Sequence, residues 1–234
     1  MKKPYVVCHM MSTVDGRIIS ENWGTEKRKK ILYRIYEKCH VSFDSQAWMC
    51  GRATLEKDFT EAEIPKFIKS KKRIAKLPFI GDRAASSFAI AVDPKGKLGW
   101  KRNNIRGDHI IEILTEQVNS DYLGYLQQNN VSYIFAGKKG IDFRKALEQL
   151  VKLFPIRTIM LEGGGHVNGS LLNDGLIDEL SLLLIPIADG TPKTPTTFEV
   201  SEYLQKKPAT LLRLKEMKHL QDDVLWLKYS IKRK

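Results

Sequence analysis

The chain has 234 residues, 42% of them hydrophobic and 28% charged. That mix belongs to a globular protein with a sizeable core and excludes a mainly disordered chain. The net charge of +12 bears on partners rather than on fold: nucleic acid, membrane surfaces and small polyanions are all compatible with it. The cysteines, Cys8, Cys39 and Cys50, are odd in number and far apart. This argues against a disulfide framework or a structural zinc site and for buried free thiols. The longest strongly apolar run, Leu182 to Ala188, is about a third of a membrane span. The apolar stretch after Met1-Lys2-Lys3-Pro4 is too short for a signal peptide, so a cytoplasmic location is expected.

In chain order, short apolar runs predict strands at Tyr5–Met10, Ala47–Cys50, Phe88–Val92, Ile110–Leu114, Val131–Ala136, Thr158–Leu161 and Leu180–Ile187. The early runs are nearly all apolar, as in a sheet covered on both faces. Thr25 can cap a helix with Ile31, Leu32, Ile35, Tyr36 and Cys39 on one side. Asp121–Gln128 reads as a shorter helix. Asp142 can cap another, with Phe143, Ala146, Leu147, Leu150 and Val151 on one face and Pro155 as its stop. A further helix follows the glycines at 163–165 and ends before Gly175, a natural residue just past a helix end. Thr210–Met217 and Val224–Ile231 alternate apolar and polar residues and read as an antiparallel hairpin. The segments 62–86 and 189–208 carry prolines and no clean period. Residues 1–234 are read as one α/β domain with a mostly parallel sheet and an antiparallel end.

Three stretches could carry chemistry. Glu162-Gly163-Gly164-Gly165-His166-Val167 follows a strand and opens a helix. Consecutive glycines let backbone N–H groups approach a ligand without a Cβ in the way, and a helix start favours phosphate; the bland alternative is a tight turn packing helix on sheet. The run is not a G-x-G-x-x-G fingerprint. Gly51-Arg52-Ala53-Thr54-Leu55-Glu56-Lys57-Asp58 repeats the strand–glycine–helix arrangement, with Arg52 aimed at an anion and Thr54 adding a hydroxyl, or else simply a solvent-facing arginine and a cap. Two such sites suit a ligand with two phosphate groups. Met11-Ser12-Thr13-Val14-Asp15-Gly16 leaves the first strand through an Asp-Gly turn, which either is a plain turn or puts Asp15 at the mouth of the site.

Together these stretches resemble the reductase domain of riboflavin biosynthesis, a family with the dihydrofolate reductase-like fold. The resemblance rests on S-x-x-D-G at Ser12–Gly16, G-x-x-T-x-x-x-D at Gly51–Asp58, and Glu162-Gly163-Gly164 with Asn168-Gly169-Ser170-Leu171-Leu172 behind it. Gly175-Leu176-Ile177-Asp178-Glu179-Leu180, Pro186 and Val224–Tyr229 add to it, so it runs from about Pro4 to Lys232. It implies NADPH as hydride donor and, as substrate, a ribosylaminopyrimidine 5′-phosphate whose opened sugar carbon C1′ accepts the hydride. It implies cofactor contacts at Thr54 and Asp58 and phosphate contacts at Gly164, Gly165, His166 and Val167. Gly51, Arg52 and Gly163 belong to the same two turns. Met11 or Ser12 would lie beside the nicotinamide. Glu162 matches a carboxylate facing the substrate, Asp15 the acidic residue of the turn, and either could handle the proton. A homodimer through sheet edges near the C-terminal strands is also implied.

The chain departs from the family after Asp58, where Phe59-Thr60-Glu61-Ala62 replaces the usual Asp-Pro-Arg-Leu-type run; this bears on the substrate more than on the cofactor. No H-x-E or P-C-x-x-C of a zinc deaminase is present, and the five histidines form no metal spacing. Three alternatives stand beside this reading. A reductase of dihydrofolate or another pterin-like ring is one. A nucleic-acid-binding module using Lys66, Lys69, Lys71, Lys72, Arg73 and Lys76 is another, although aromatic interleaving beyond Phe67 is missing. The third is a non-catalytic relative, disfavoured by retention of Asp15, Thr54, Asp58 and Glu162.

Overall fold

The apolar runs become strands, and the capped periodic segments become helices. The computed structural model describes residues 3–60, 74–202, 204–205 and 207–232. Along the chain it contains β1 (Tyr5–Ser12), α1 (Glu26–Val41), β2 (Ala47–Gly51), α2 (Arg52–Asp58), β3 (Phe88–Val92), β4 (Asn104–Ile105), β5 (Asp108–Leu114), α3 (Ser120–Gln128) and β6 (Ser132–Phe135). It continues with α4 (Phe143–Leu153), β7 (Thr158–Leu161), α5 (Gly165–Asn173), β8 (Glu179–Leu184), β9 (Leu212–His219) and β10 (Leu225–Ile231). Two differences from expectation have simple causes. β4 is two residues long and so has no period to detect. β8 ends at Leu184 rather than Ile187, because Pro186 has no N–H to give to a ladder. Of the basic cluster in segment 62–86, Lys66 to Arg73 lies outside the described residues.

The described residues fall into two compact units, one drawn from Gln46–Ile159 and the other from Tyr5–Ser45 and the chain from Met160 onward. In the first, β2 runs parallel to β3, from Ala47 opposite Phe88 to Gly51 opposite Val92. β3 is parallel to β5, and β5 to β6; β4 adds an antiparallel pair at the start of β5. All five residues of β3 are buried, as its uniformly apolar sequence requires. The Asp142 carboxylate accepts the Lys145 N–H at 3.0 Å and starts α4, which buries Phe143, Ala146, Leu147 and Leu150. Each such leucine contributes about 1.5–3 kcal/mol by leaving water. One polar group enters this core with partners: the Glu112 carboxyl accepts the indole N–H of Trp100 and the hydroxyl of Tyr122 at 2.6 Å. Burial raises its pKa well above the ordinary carboxylate value.

In the second unit β1 is parallel to β8, from Val7 opposite Glu179 to Ser12 opposite Leu184. β10 is antiparallel to β8, and β9 antiparallel to β10 with an irregularity at Lys228/Tyr229. The Thr25 hydroxyl accepts the Arg28 N–H at 3.3 Å and starts α1. Leu32 and Cys39 pack beneath the helix with Met11, Trp23, Leu183 and Trp226. All three cysteines are free and buried. The hairpin is where the alternation put it, but β9 buries neither face: Leu214 and Met217 are 51% and 63% exposed. Among the described residues, no helix is long and apolar enough to cross a membrane.

Candidate active site

At the end of β7, Glu162 and the three glycines of the second unit lead directly to the start of α5. Gly163 has φ +113°, a conformation that side chains rarely tolerate, and its peptide bond to Gly164 is cis. Gly164 is the N-cap of α5 without any side-chain cap, so the helix starts on bare backbone. The amides of Val167 and Asn168 both turn back to the Gly164 carbonyl, at 3.0 and 3.1 Å. Those of Gly165 and His166 head the helix, where no preceding turn offers a carbonyl. Bare backbone at the start of a nine-residue helix offers amide donors whose polarity suits an anion such as a phosphate group.

The same segment explains why Gly165 and Gly169 must be glycine. A Cβ on Gly165 would stand 2.4 Å from the Thr196 carbonyl oxygen, and one on Gly169 would stand 2.1 Å from that of Glu199. The strap from Asp189 to Glu199 therefore lies against α5. It is fixed by Glu199 N–H to the Gly165 carbonyl at 2.9 Å and by the Asn168 amide to the Thr197 carbonyl at 3.0 Å. The imidazole of His166 is mostly exposed and faces the Glu199 carboxylate at 3.4 Å.

Asp15 anchors the other end of this strap. Its carboxylate accepts the Thr13 hydroxyl at 2.6 Å and the backbone amides of Asp189 and Gly190 at 3.0 and 2.9 Å. The Arg17 guanidinium lies 3.8 Å away and also donates to the Thr194 carbonyl. Gly16 turns the chain with φ +83°. Hydrogen bonds from Thr13, Asp189 and Gly190 hold the Asp15 pKa far below the ordinary carboxylate range.

Glu162 is in the opposite situation. Its side chain is 14% exposed, and its Oε1 lies 2.6 Å from Nδ1 of His40, itself 19% exposed. The Tyr36 hydroxyl, which donates to the His9 carbonyl at 3.0 Å, also reaches the Glu162 carboxyl. Burial raises the Glu162 pKa, and the His40 contact offsets part of that rise. Behind it, His9 stacks on Tyr36 with ring centroids 4.2 Å apart. Its Nδ1 meets the Ser181 hydroxyl at 2.9 Å and its Nε2 the Tyr36 carbonyl at 3.2 Å. Burial pushes the His9 pKa down to about 3, so the ring is neutral. Met11 and Ser12 end β1 as buried residues, with the Met11 side chain in the core under α1.

The remaining candidates, Gly51, Arg52, Thr54 and Asp58, belong to the first unit. Gly51 is the N-cap of α2. The Arg52 guanidinium pairs with Glu56 one turn along the same helix, Thr54 is partly buried and Asp58 is exposed. The structure thus brings Met11, Ser12, Asp15 and Glu162 to Val167 together in one unit. It adds His40, Tyr36 and His9, which sequence reasoning did not single out. His40 and Glu162 are separated by 122 positions, and no local pattern links them.

A β-strand ending in glycines at a helix start, repeated in an α/β framework with an antiparallel C-terminal hairpin, defines an α/β fold of the kind many enzymes use. Residues 4–226 match the sequence model of the RibD C-terminal domain. The chain belongs to that family. It is 23% identical over 92% of its length to the 2,5-diamino-6-ribosylamino-4(3H)-pyrimidinone 5′-phosphate reductase of Aquifex aeolicus, covering 91% of that protein. It is 24% identical to the Methanothermobacter thermautotrophicus reductase of the same name, over 98% of this chain and 99% of that one. A pyrimidine reductase-like protein of Corynebacterium diphtheriae superposes with a TM-score of 0.69 at 16% identity, over 99% of this chain and 93% of the other. This agrees with the dihydrofolate reductase-like architecture expected from the motifs.

Proposed function

We propose that the chain is an NADPH-dependent reductase that converts 2,5-diamino-6-ribosylamino-4(3H)-pyrimidinone 5′-phosphate to its ribitylamino form in riboflavin biosynthesis. Membership of the family makes it an oxidoreductase. The observation that carries the reductase reading is the juxtaposition, within one unit, of a bare-backbone helix start at Gly163–Gly165 and a buried carboxyl at Glu162; the substrate class follows the names of the similar reductases.

NADPH, when bound, supplies the hydride. Gly163, Gly164, Gly165, His166 and Val167 are assigned to its phosphates. Met11 and Ser12 would border the nicotinamide; the Met11 side chain itself is packed in the core. Glu162 faces the substrate and supplies the proton taken by the oxygen of the opening sugar; the group becomes a carboxylate and is reprotonated from water. Asp15 keeps its charge through the hydrogen bonds it accepts, which suits a strap anchor better than an acid. We assign the protein to the cytoplasm and to a homodimer. The exposed apolar residues Leu212, Leu214 and Met217 on edge strand β9 support a second copy there, and light scattering should read twice the chain mass.

The test is a titration with NADPH and NADH, followed by turnover of the diamino substrate and of its deaminated counterpart. Saturable binding that prefers NADPH, with turnover of the diamino compound, is the expected result. No binding to either nucleotide by the folded protein overturns the reading.

A further inference from the structure

We propose that His40 is a positioning residue for the reaction at Glu162: its Nδ1 holds one carboxyl oxygen in place and sets how readily the group releases its proton. This rests on the reading of Glu162 as the acid that faces the substrate.

The geometry is specific. His40 Nδ1 and Glu162 Oε1 are 2.6 Å apart, and both side chains are largely shielded from water. His40 lies in the last turn of α1, one turn after Tyr36, so the two side chains share the helix face that meets Glu162. Glu162 is therefore gripped from a 16-residue helix capped at its start by Thr25, not from a loop. A group held on a rigid element keeps its rotamer between turnovers, and this is what a proton donor in a reduction needs.

Around Glu162, His40 makes the closest polar contact. His9 of β1 is 6.2 Å from the His40 ring, but it is buried, neutral and committed to Ser181 and Tyr36. Cys8, also on β1, is buried with its thiol pushed up. Glu37, on α1, repels a charged Glu162. Lys228 of β10 bears on His9 and lies over the Trp226 and Phe43 rings. Against burial and Glu37, which both favour the protonated Glu162, the contact with His40, and to a smaller extent that with Tyr36, works in the other direction. It keeps the carboxyl acidic enough to release its proton to the substrate oxygen, and to accept another from water afterwards.

The sign of the pH effect follows. If protonated Glu162 is the acid, kcat falls as pH rises through its pKa. Removing His40 lets that pKa rise further, so the fall moves to higher pH while the plateau drops. The experiment compares kcat and KM against pH for wild type, H40F, H40N and E162Q, using NADPH and the diamino ribosylamino pyrimidinone phosphate. H40F should lose roughly tenfold in kcat, keep both KM values within about twofold, and shift its alkaline limb upward. In H40N the amide stands where Nδ1 stood, so the limb should return toward wild type. Thermal melts verify that each variant is folded, and H40A substitutes for H40F if the phenyl ring is not accommodated.

An alkaline limb unmoved in H40F or H40A, with E162Q inactive, overturns the role of His40 and leaves Glu162 as the acid. Full activity in E162Q overturns the reading of Glu162 itself. A purely structural role for His40 would lower stability in all its variants without moving the limb, and H40N would not restore it.

Discussion

Two carboxylates marked by the sequence end up in opposite surroundings. Asp15 sits in the turn after β1 with a side chain 33% exposed, encircled by one hydroxyl and two backbone amides of the strap. Glu162 sits at the end of β7, less than half as exposed, with two α1 side chains against it. Donors aimed at a carboxylate favour its charged form, and removal from water favours its neutral one. Equal chemistry at the two positions thus gives one permanent anion that organises backbone and one carboxyl that can carry a proton. The comparison also separates two ways of supporting a site. The strap anchored by Asp15 shapes the helix start at Gly165, whereas α1 shapes the acid.

The sharpest way to break this comparison is to neutralise each carboxylate without changing its size. Glu162→Gln should lower kcat by about a hundredfold or more, the range of a lost general acid, with KM for both substrates nearly unchanged. Equal activity in E162Q and wild type would end the assignment. Asp15→Asn removes the charge and turns one acceptor into a donor that faces the Asp189 or Gly190 amide. It should weaken NADPH affinity roughly tenfold by loosening the strap, an effect of misplacement rather than chemistry. The pH dependence of kcat should be that of wild type. A D15N enzyme whose alkaline limb moves, with unchanged cofactor affinity, would exchange the two roles.

Much of this arrangement is legible in the amino-acid sequence alone. The runs Phe88–Val92 and Thr158–Leu161 form strands with those same limits, because a short apolar run bounded by turn residues has few other outcomes. Thr25, Asp142 and Gly175 mark helix ends through single hydrogen bonds or a positive φ that their residue types predict. The glycine loop is legible for the same reason: it is local. What escapes a sequence reading depends on distant parts of the chain. His40 meets Glu162 across 122 positions. The Asp-Gly turn is visible in the sequence, but the amides of Asp189 and Gly190 that occupy its carboxylate are not. The alternation in β9 says that Leu212 and Leu214 share a face; it cannot say that this chain leaves both exposed, at 39% and 51%.

The burial that raises the Glu162 pKa must also lower that of His9, since low polarity penalises charge of either sign. That provides a smaller and independent check on the environment of the acid. His9 is completely buried and its pKa in the folded chain is pushed down to about 3, against about 6.5 when unfolded. Between these values the unfolded chain binds the extra proton, so stability rises with pH and is lost as pH falls below 6.5. At pH 5.5 the loss from this one group is about 1.4 kcal/mol. Glu162, with its raised pKa, acts in the opposite sense, so wild type alone would blur the effect. The comparison is therefore with His9→Gln, whose amide can still reach the Ser181 hydroxyl or the Tyr36 carbonyl but does not titrate. Urea unfolding at pH 7.5 and 5.5 should show wild type losing about 1.4 kcal/mol more than H9Q over that interval. Equal losses would mean that His9 takes up its proton within the folded chain. The pocket behind Glu162 would then admit charge, and the case for a protonated Glu162 would weaken with it.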